Sequence, residues 1–401
     1  MKDGGDVLRK RGKYTNGKAS KEDRSSETIG EADGIKEIGS LEYYWQSYPD
    51  KLSDRISWIL DLLVNFRGPG WNWRVQTMPD LPPFVKHDLG EPIDEASLKG
   101  VSSVGIKRYD SRAKLLQAIT PKIIVGYILL DALKVITMKD PYFLFGPNDY
   151  PLPPHLSALS PLTLRIFRLT LAFLTITIAL ELAFLLIPFI YCFLLGPKVV
   201  GLRSETWYYI NTWGSFKPVF DKGLAGLWGG RWHQMFRLFF SAPTTYLIQC
   251  GILPSARSNT TKVVDVLIAF FISGLFHFAG AFTNFPPTKP LDMIVFFMLQ
   301  AVGVIMQTAI CKQFETTICK LPLGLRQAGN FTITLAWLCW TAPWINDNFA
   351  RGGLYLYQPI PYSLFRGLGF GYADEGAWCW DNSLWFRWYR GKHWWESGIA
   401  F

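Results

Sequence analysis

The fold is decided by an apolar run at residues 263–283, VVDVLIAFFISGLFHFAGAFT. An α-helix rises about 1.5 Å per residue, so about 20 apolar residues cross the roughly 30 Å hydrocarbon core of a bilayer. The run has this length, and it therefore predicts a membrane-spanning helix. Four further apolar runs predict spans in the same way, at residues 122–138, 165–195, 292–310 and 331–345.

The composition of the whole chain also indicates a membrane protein. Apolar residues make up 49% of the 401 residues and charged residues 18%, whereas a soluble protein has about 25% charged residues. This composition excludes a disordered chain, a disulfide-stapled secreted domain and a simple soluble enzyme. The predicted fold class is an all-α, polytopic membrane protein: a multi-helix bundle with interfacial or re-entrant helices.

Residues 1–50 differ from the rest of the chain, because they are polar and rich in Gly, Lys, Glu and Ser. We expect a disordered N-terminal tail there, followed by a membrane-embedded domain at residues 51–401. The basic residues of the tail suit anionic lipid on the cytosolic side, and no nucleic-acid fold signature accompanies them. Residues 1–40 hold no apolar core of the length that a secretory signal needs.

Two segments outside the predicted spans are expected at the membrane surface or inside the protein. Residues 54–66 suit an amphipathic helix that is too short to span the bilayer. Residues 207–253 are rich in Trp, Gly and basic residues, yet partly apolar. Irregular backbone at membrane depth persists only inside protein or along a wet cavity. We therefore predict a loop with re-entrant or amphipathic helices that line a site.

Acidic residues interrupt two of the apolar runs. Asp131 and Glu181 lie inside them, and a central acid costs about 3 kcal/mol in a spanning helix. Lys134 follows Asp131 by three residues, so a helix would bring the two charges together. Ionisable residues in spans usually mark function, and here they allow a transport path as one interpretation.

His277 is the most informative polar residue, because it lies well inside the apolar run. Ser273, one turn before it, and Gly280, one turn after it, give the same helix face a narrow stripe of small and polar residues. An imidazole held out of water is neutral and can accept a proton at pH 7. The alternative is a structural histidine that donates to a neighbouring carbonyl.

A second polar group stands in GGRWHQMFR at residues 229–237. If this segment is helical, His233 and Arg237 share a face. Its two arginines, Arg231 and Arg237, suit an anionic or phosphate-bearing ligand. An interfacial amphipathic helix whose arginines reach to water is the alternative.

Other chemistries lack their signatures in this sequence. It contains no G-x-S-x-G nucleophile elbow. No group of His, Cys or Asp residues has zinc-ligand spacing, so no metal site is predicted. The six cysteines form no C-x-x-C pair, and small buried hydrophobic residues are the simpler interpretation of them.

Four motifs together resemble one enzyme family. They are RGPGWNW (67–73), GLWGGRWHQMFR (226–237), SGLFHFAG (273–280) and YRGKHWWESGIAF (389–401). They are similar to the wax synthase-like branch of the membrane-bound O-acyltransferases. More narrowly, they resemble its fungal members, which acetylate terpenoid, meroterpenoid or trichothecene alcohols.

The resemblance implies a multi-pass fold, expected in the endoplasmic reticulum, with an internal tunnel. Acyl-CoA would enter from the cytosolic side and a hydrophobic alcohol from the lipid bilayer. His277 matches the catalytic histidine of the family, and Trp232, His233 and Gln234 match its second motif. Acetyl-CoA, or another acyl-CoA, is then a co-substrate, and no tightly bound cofactor is expected.

The sequence thus predicts an acyl-CoA-dependent O-acyltransferase that moves an acetyl group to a hydroxyl of a terpenoid-type secondary metabolite. His277 would take the hydroxyl proton, and His233 or Gln234 would donate to the developing oxyanion. A long-chain wax ester synthase and a non-catalytic membrane carrier or scaffold are the alternatives. The residues expected to bind the substrates are Trp232, Gln234, Ser273, Arg231 and Arg237.

Overall fold

The computed structural model describes residues 5–12, 41–75, 77–102, 105–284, 288–373, 375–380 and 387–400. Over these residues the chain is mostly helical. Two short antiparallel strand pairs are also present: β1 (Val7–Gly12) with β2 (Leu41–Gln46), and β3 (Arg387–Tyr389) with β4 (Gly398–Ala400). The α-helices, in chain order, are α1 (Leu52–Val64), α2 (Pro83–Leu89), α3 (Glu95–Lys99), α4 (Arg112–Thr137), α5 (Pro141–Phe145), α6 (Pro154–Ser157), α7 (Pro161–Phe189), α8 (Pro197–Val200), α9 (Lys217–Gly226), α10 (Arg237–Gln249), α11 (Asn259–Phe282), α12 (Leu291–Gln313), α13 (Glu315–Ile318), α14 (Leu323–Thr341), α15 (Pro343–Arg351) and α16 (Leu364–Gly367).

Three helical segments of the described chain are long and apolar enough to cross a membrane. They are Pro161–Leu195, Asn259–Phe282 and Pro290–Gln313. The first continues from α7 into a π-helical turn at Ile190–Leu195. These segments contain or closely match three of the five predicted spans, which confirms a membrane protein with several apolar helices.

The other two predicted spans also fall on helices, but these helices lie outside that set. Residues 122–137 belong to the 26-residue α4, which carries several charged side chains. Residues 331–345 are divided between α14 and α15, because Pro343 starts a new helix after Thr341. Length and composition therefore support three of the five predicted spans.

The chain divides into two compact units, and the first contains Met1–Leu116, Pro188–Gly214 and Gln234–Leu238. Its core includes Trp71, which is fully buried and donates from Nε1 to the carboxylate of Asp61 at 2.9 Å. The RGPGWNW motif is thus a packing element of this unit.

The described parts of residues 1–50 differ from the expected disordered tail. Val7 lies opposite Gln46 in the β1–β2 pair, and Leu8 is fully buried. The strands form because apolar and aromatic side chains of both segments enter the core of the first unit. The expectation for residues 1–4 and 13–40 lies outside the described residues.

The short amphipathic helix predicted at residues 54–66 is present as α1, and its place at the membrane surface stays a prediction. Its face toward the core of the unit holds Trp58 and Asp61. The opposite face exposes a continuous set of large apolar residues, which suits contact with lipid. This set comprises Leu52, Ile56, Ile59, Leu60, Leu63 and Val64.

The second unit contains Gln117–Ile187, Ser215–His233 and Phe239–Phe401, and it includes α11 and α12. In this unit α4 is attached to the segment around residues 355–365. Asp131 accepts hydrogen bonds from Ser363 Oγ at 2.5 Å and from the backbone N–H of Phe365 at 3.1 Å.

The expected pairing of Asp131 with Lys134 is not what the structure shows. Lys134 Nζ donates to the backbone carbonyls of Tyr355 and Tyr357. Both charges are buried, and each is satisfied by the same distant segment. A buried charge needs partners with good hydrogen-bond geometry, and residues 355–365 supply more of them than one lysine could.

Candidate functional site

His277 lies on α11, and its own helix fixes the orientation of its ring. Nδ1 is 2.9 Å from the backbone carbonyl oxygen of Ser273. A carbonyl oxygen can only accept a hydrogen bond, so Nδ1 carries the proton in the neutral ring. The lone pair is then on Nε2, where a general base needs it. The two interpretations of His277 are therefore compatible, because one nitrogen anchors the ring and the other can react.

One face of the His277 ring packs against Phe297 of α12, with ring centroids 4.5 Å apart. The side chain is otherwise exposed. A histidine sealed by protein could not meet a substrate, and His277 is not sealed. The internal tunnel stays a prediction.

The S-G-x-x-H motif brings α11 close to α12. Ser273 and Gly274 are both buried, and a Cβ on Gly274 would lie 3.1 Å from Cα of Ile294. A larger residue at 274 would require the two helices to separate by a few tenths of an ångström. Ser273 thus orients the His277 ring through its carbonyl, while its predicted contact with substrate stays a prediction.

Trp228 connects this helix pair to the second motif. Its ring makes an edge-to-face contact with Phe270 at 5.7 Å and lies 6.5 Å from Phe297. On its other side the ring is 5.4 Å from Trp232. Phe297 and Trp228 therefore form an aromatic link between His277 and residues 232–233, the Trp232 segment.

Trp232 and His233 follow a π-helical turn at Leu227–Arg231. The Trp232 N–H donates to the Leu227 carbonyl at 2.7 Å, and the Trp232 and His233 rings are 5.6 Å apart. The condition for a shared helical face of His233 and Arg237 is not met. Residues 232–236 are not helical, and α10 begins only at Arg237.

Helix α7 provides a further aromatic neighbour for Trp232 and another for His233. Phe173 is 6.5 Å from Trp232, and Phe184 is 6.4 Å from His233, measured between ring centroids. Together with the contacts described above, a chain of three aromatic rings connects His233 to His277. These rings are Trp232, Trp228 and Phe297. The role of His233 as an oxyanion donor stays a prediction.

Arg231 stacks on Phe216, with its guanidinium carbon 4.3 Å from the ring centroid. Burial lowers the pKa of the Arg231 guanidinium, and the negative charge of Glu181 opposes that shift. Glu181 also accepts from Lys122 Nζ at 3.3 Å. An acid inside an apolar helix needs such partners, and Lys122 supplies a hydrogen-bond donor to the Glu181 carboxylate.

Gln234 and Arg237 belong to the first compact unit. There Arg237 Nη1 donates to Gln234 Oε1 at 2.8 Å. Of the seven predicted site residues, the second unit therefore holds Arg231, Trp232, His233, Ser273 and His277.

Several residues that shape the site were not predicted from the sequence. Lys122, Trp228 and Phe297 stand in apolar or aromatic surroundings that gave them no distinct signal. Gln307, inside the apolar run at 292–310, was visible as a polar residue in a span. Uncharged amides at such positions are a usable signal, because a buried amide needs hydrogen-bond partners.

The chain matches a known family over part of its length. Residues 212–299 match the model described as "Membrane bound O-acyl transferase family". This range contains both the Trp232 segment and the S-G-x-x-H motif.

Characterised relatives extend the similarity over most of the chain. O-Mevalon transferase macI of Penicillium terrestre is 25% identical over 309 residues, which cover 72% of this chain and 61% of that relative. Acetyltransferase ple2 of Rhodocybe pseudopiperita is 23% identical over 325 residues, which cover 79% of this chain and 73% of the relative. The chain thus spans less than two thirds of the length of macI.

A plant relative is similar over a shorter part. The probable long-chain-alcohol O-fatty-acyltransferase 8 of Arabidopsis thaliana is 25% identical over 118 residues, 29% of this chain and 35% of that relative. No solved structure matches the chain significantly. Residues 212–299 and the related proteins show that this chain is similar to the membrane bound O-acyl transferase family, and its three long apolar helices agree with a membrane protein.

Proposed function

We propose that the protein is an O-acyltransferase that moves an acetyl group from acetyl-CoA to a hydroxyl of a terpenoid-type secondary metabolite. The observation that carries this proposal is the hydrogen bond that orients the His277 ring. Its Nδ1 is anchored on the Ser273 carbonyl, which leaves Nε2 as a proton acceptor. Several relatives, including ple2, are named acetyltransferases.

The proposed reaction uses His277 first as a base and then as an acid. Nε2 takes the hydroxyl proton while the alcohol oxygen attacks the thioester carbonyl carbon. The tetrahedral intermediate then breaks its C–S bond, and the leaving sulfur takes the proton back from His277, which gives the ester and free CoA. General acid–base help of this kind is worth about 10²–10⁴ in rate, or about 3–5 kcal/mol.

The remaining site residues would bind the two substrates. His233 or Gln234 would stabilise the oxyanion by donating a hydrogen bond, and Trp232 would pack against a substrate. The guanidinium groups of Arg231 and Arg237 would hold CoA phosphates. The acceptor would reach His277 through an internal tunnel from the lipid side of a multi-pass fold in the endoplasmic reticulum.

The test compares two histidine variants in microsomes supplied with acetyl-CoA and a terpenoid alcohol. His277→Asn keeps an amide N–H for the Ser273 carbonyl but has no basic nitrogen. We expect kcat to fall by about 10²–10⁴ while expression is kept. His155→Asn, an exposed histidine in α6, is the matched control and should leave kcat unchanged. Turnover near wild type in His277→Asn would show that the ring is not the base.

The second candidate is a long-chain wax ester synthase, which the plant fatty-acyltransferase relative favours. The same base chemistry serves either acyl group, so the acyl chain must be tested directly. Competition between acetyl-CoA and palmitoyl-CoA for one acceptor separates the two candidates. Product mass spectra dominated by the palmitoyl ester would replace acetyl transfer with fatty-acyl transfer.

A further inference from the structure

The helix that leads into the Trp232 segment is broken at Gly223. Gly223 has φ 58° and ψ −130° inside α9, a conformation that glycine tolerates and other residues rarely adopt. In an unbroken helix the N–H of Leu224 would donate to the carbonyl of Phe220, four residues earlier. The break separates this donor from this acceptor in a buried place, since Leu224 is 1% exposed.

Two amide side chains replace the missing hydrogen bond. The Leu224 N–H donates to Oε1 of Gln307 on α12 at 2.9 Å. Nε2 of Gln307 donates to Oδ1 of Asn330 on α14 at 3.3 Å, and Nδ2 of Asn330 donates to the Phe220 carbonyl at 2.9 Å. The relay therefore starts at the donor and ends at the acceptor that the helix would have joined directly.

The direction of this amide relay is fixed by its two ends. A backbone carbonyl can only accept, so the Asn330 amide must turn its Nδ2 toward Phe220 and its Oδ1 toward Gln307. Gln307 must then turn Nε2 toward Asn330, which leaves Oε1 for the Leu224 N–H. Glutamine and asparagine each have a donor and an acceptor, so together they satisfy both ends.

The segment held by the relay carries the second motif of the site. Leu224 leads through Gly226 into the π-helical turn, Trp228 and Trp232. Gly226 allows the chain to fold back tightly, since a Cβ there would lie 1.7 Å from the Pro218 carbonyl oxygen. A shift of the backbone at residue 224 would therefore displace Trp228. The indole ring of Trp228 lies beside Phe297, and Phe297 packs against His277.

We propose that Gln307 and Asn330 are positioning residues, whose amide relay carries the helical hydrogen bond across the break at Gly223 and so sets the place of residues 224–233. Their expected effect on turnover rests on the proposed acyl transfer. Their effect on the local backbone does not depend on that activity.

The test is amide hydrogen exchange of the detergent-purified full chain, read by mass spectrometry in peptides from residues 219–233. Gln307→Met removes both hydrogen-bonding groups at similar size. We expect exchange at residues 224–232 to become at least about tenfold faster, because a backbone N–H loses its buried partner. Asn330→Leu, at the other end of the relay, should act in the same direction and serves if Gln307→Met does not fold.

The matched control is Gln300→Met on the same helix. Gln300 is also buried, but its Nε2 donates to Thr341 Oγ1 at 2.9 Å, away from the break. We expect similar thermal midpoints for the two glutamine variants, with faster exchange and at least a tenfold loss of kcat in Gln307→Met alone. Equal exchange in both variants, or no change in Gln307→Met, would overturn the relay. Faster exchange with no acyl transfer in the wild type would leave the relay intact and remove the proposed function.

Discussion

The two histidine-bearing segments of this protein are built in opposite ways. His277 lies on α11, a 24-residue helix without a break. His233 follows a helix broken at Gly223, a π-helical turn and an extended residue, Trp232. An unbroken helix pairs its own interior N–H and C=O groups, whereas a broken one must find partners elsewhere.

This difference explains which parts of the protein each segment depends on. The helix around His277 needs a neighbour only for packing, and Gly274 supplies close contact with α12. The segment before His233 needs hydrogen bonds from α12 and α14. Both segments therefore rely on α12, the first through Phe297 and the second through Gln307.

The largest expected loss of stability comes from adding a side chain at Gly223, where α9 is broken. In Gly223→Ala the new Cβ would lie 2.1 Å from the Gln307 amide nitrogen, at a positive φ that disfavours alanine. Backbone strain and overpacking together should cost about 2–5 kcal/mol. Gly329→Ala on α14, where a Cβ meets nothing within 4 Å, is the control. Thermal unfolding in detergent measures both variants, and equal midpoints would contradict the role of the break.

A smaller effect is expected where α11 approaches α12. Gly274→Ala places a Cβ 3.1 Å from Cα of Ile294 and 3.5 Å from Cβ of Phe297. The helices must separate by a few tenths of an ångström, so we expect a loss of about 1 kcal/mol, with a several-fold fall in kcat as Phe297 moves from His277. Steady-state kinetics and the unfolding midpoint measure the two effects. An unchanged kcat would mean that the packing on Phe297 does not position the ring.

The smallest effect is expected one turn beyond His277. A Cβ on Gly280 meets nothing within 4 Å, and alanine gains up to about 1 kcal/mol of helix propensity over glycine. Gly280→Ala should therefore keep or slightly raise the unfolding midpoint and leave kcat unchanged. A rise in KM for the acceptor alone would sharpen the comparison by placing the acceptor along this face. A clear fall in the midpoint would show that the face is packed after all.

Three of the five predicted spans agree with long apolar helices, because their length and apolar composition are local properties of the sequence. The apolar run that holds His277 has the length of a bilayer crossing, and the irregular backbone around Trp232 follows from its glycines. The strand β2, LEYYWQ, also had a local signal in its alternating large side chains. The polar composition of residues 1–50 favoured a disordered tail instead of a strand.

The hydrogen-bond partners could not be predicted, because they are distant along the chain. Asp131 and Lys134 are three residues apart, yet each binds a segment more than 200 residues away. The Leu224 N–H likewise depends on Gln307 and Asn330, which local patterns do not connect to it. Helical spacing shows which side chains share a face, but tertiary contacts decide which groups they satisfy.

The attachment of α4 to residues 355–365 has a consequence for the order of synthesis. The ribosome makes Asp131 and Lys134 early, while the carbonyl and hydroxyl groups that satisfy them are made more than 200 residues later. An unpartnered charge is expensive in an apolar environment. Until residues 355–365 have been made, α4 therefore lacks the groups that satisfy these two buried side chains in the folded protein.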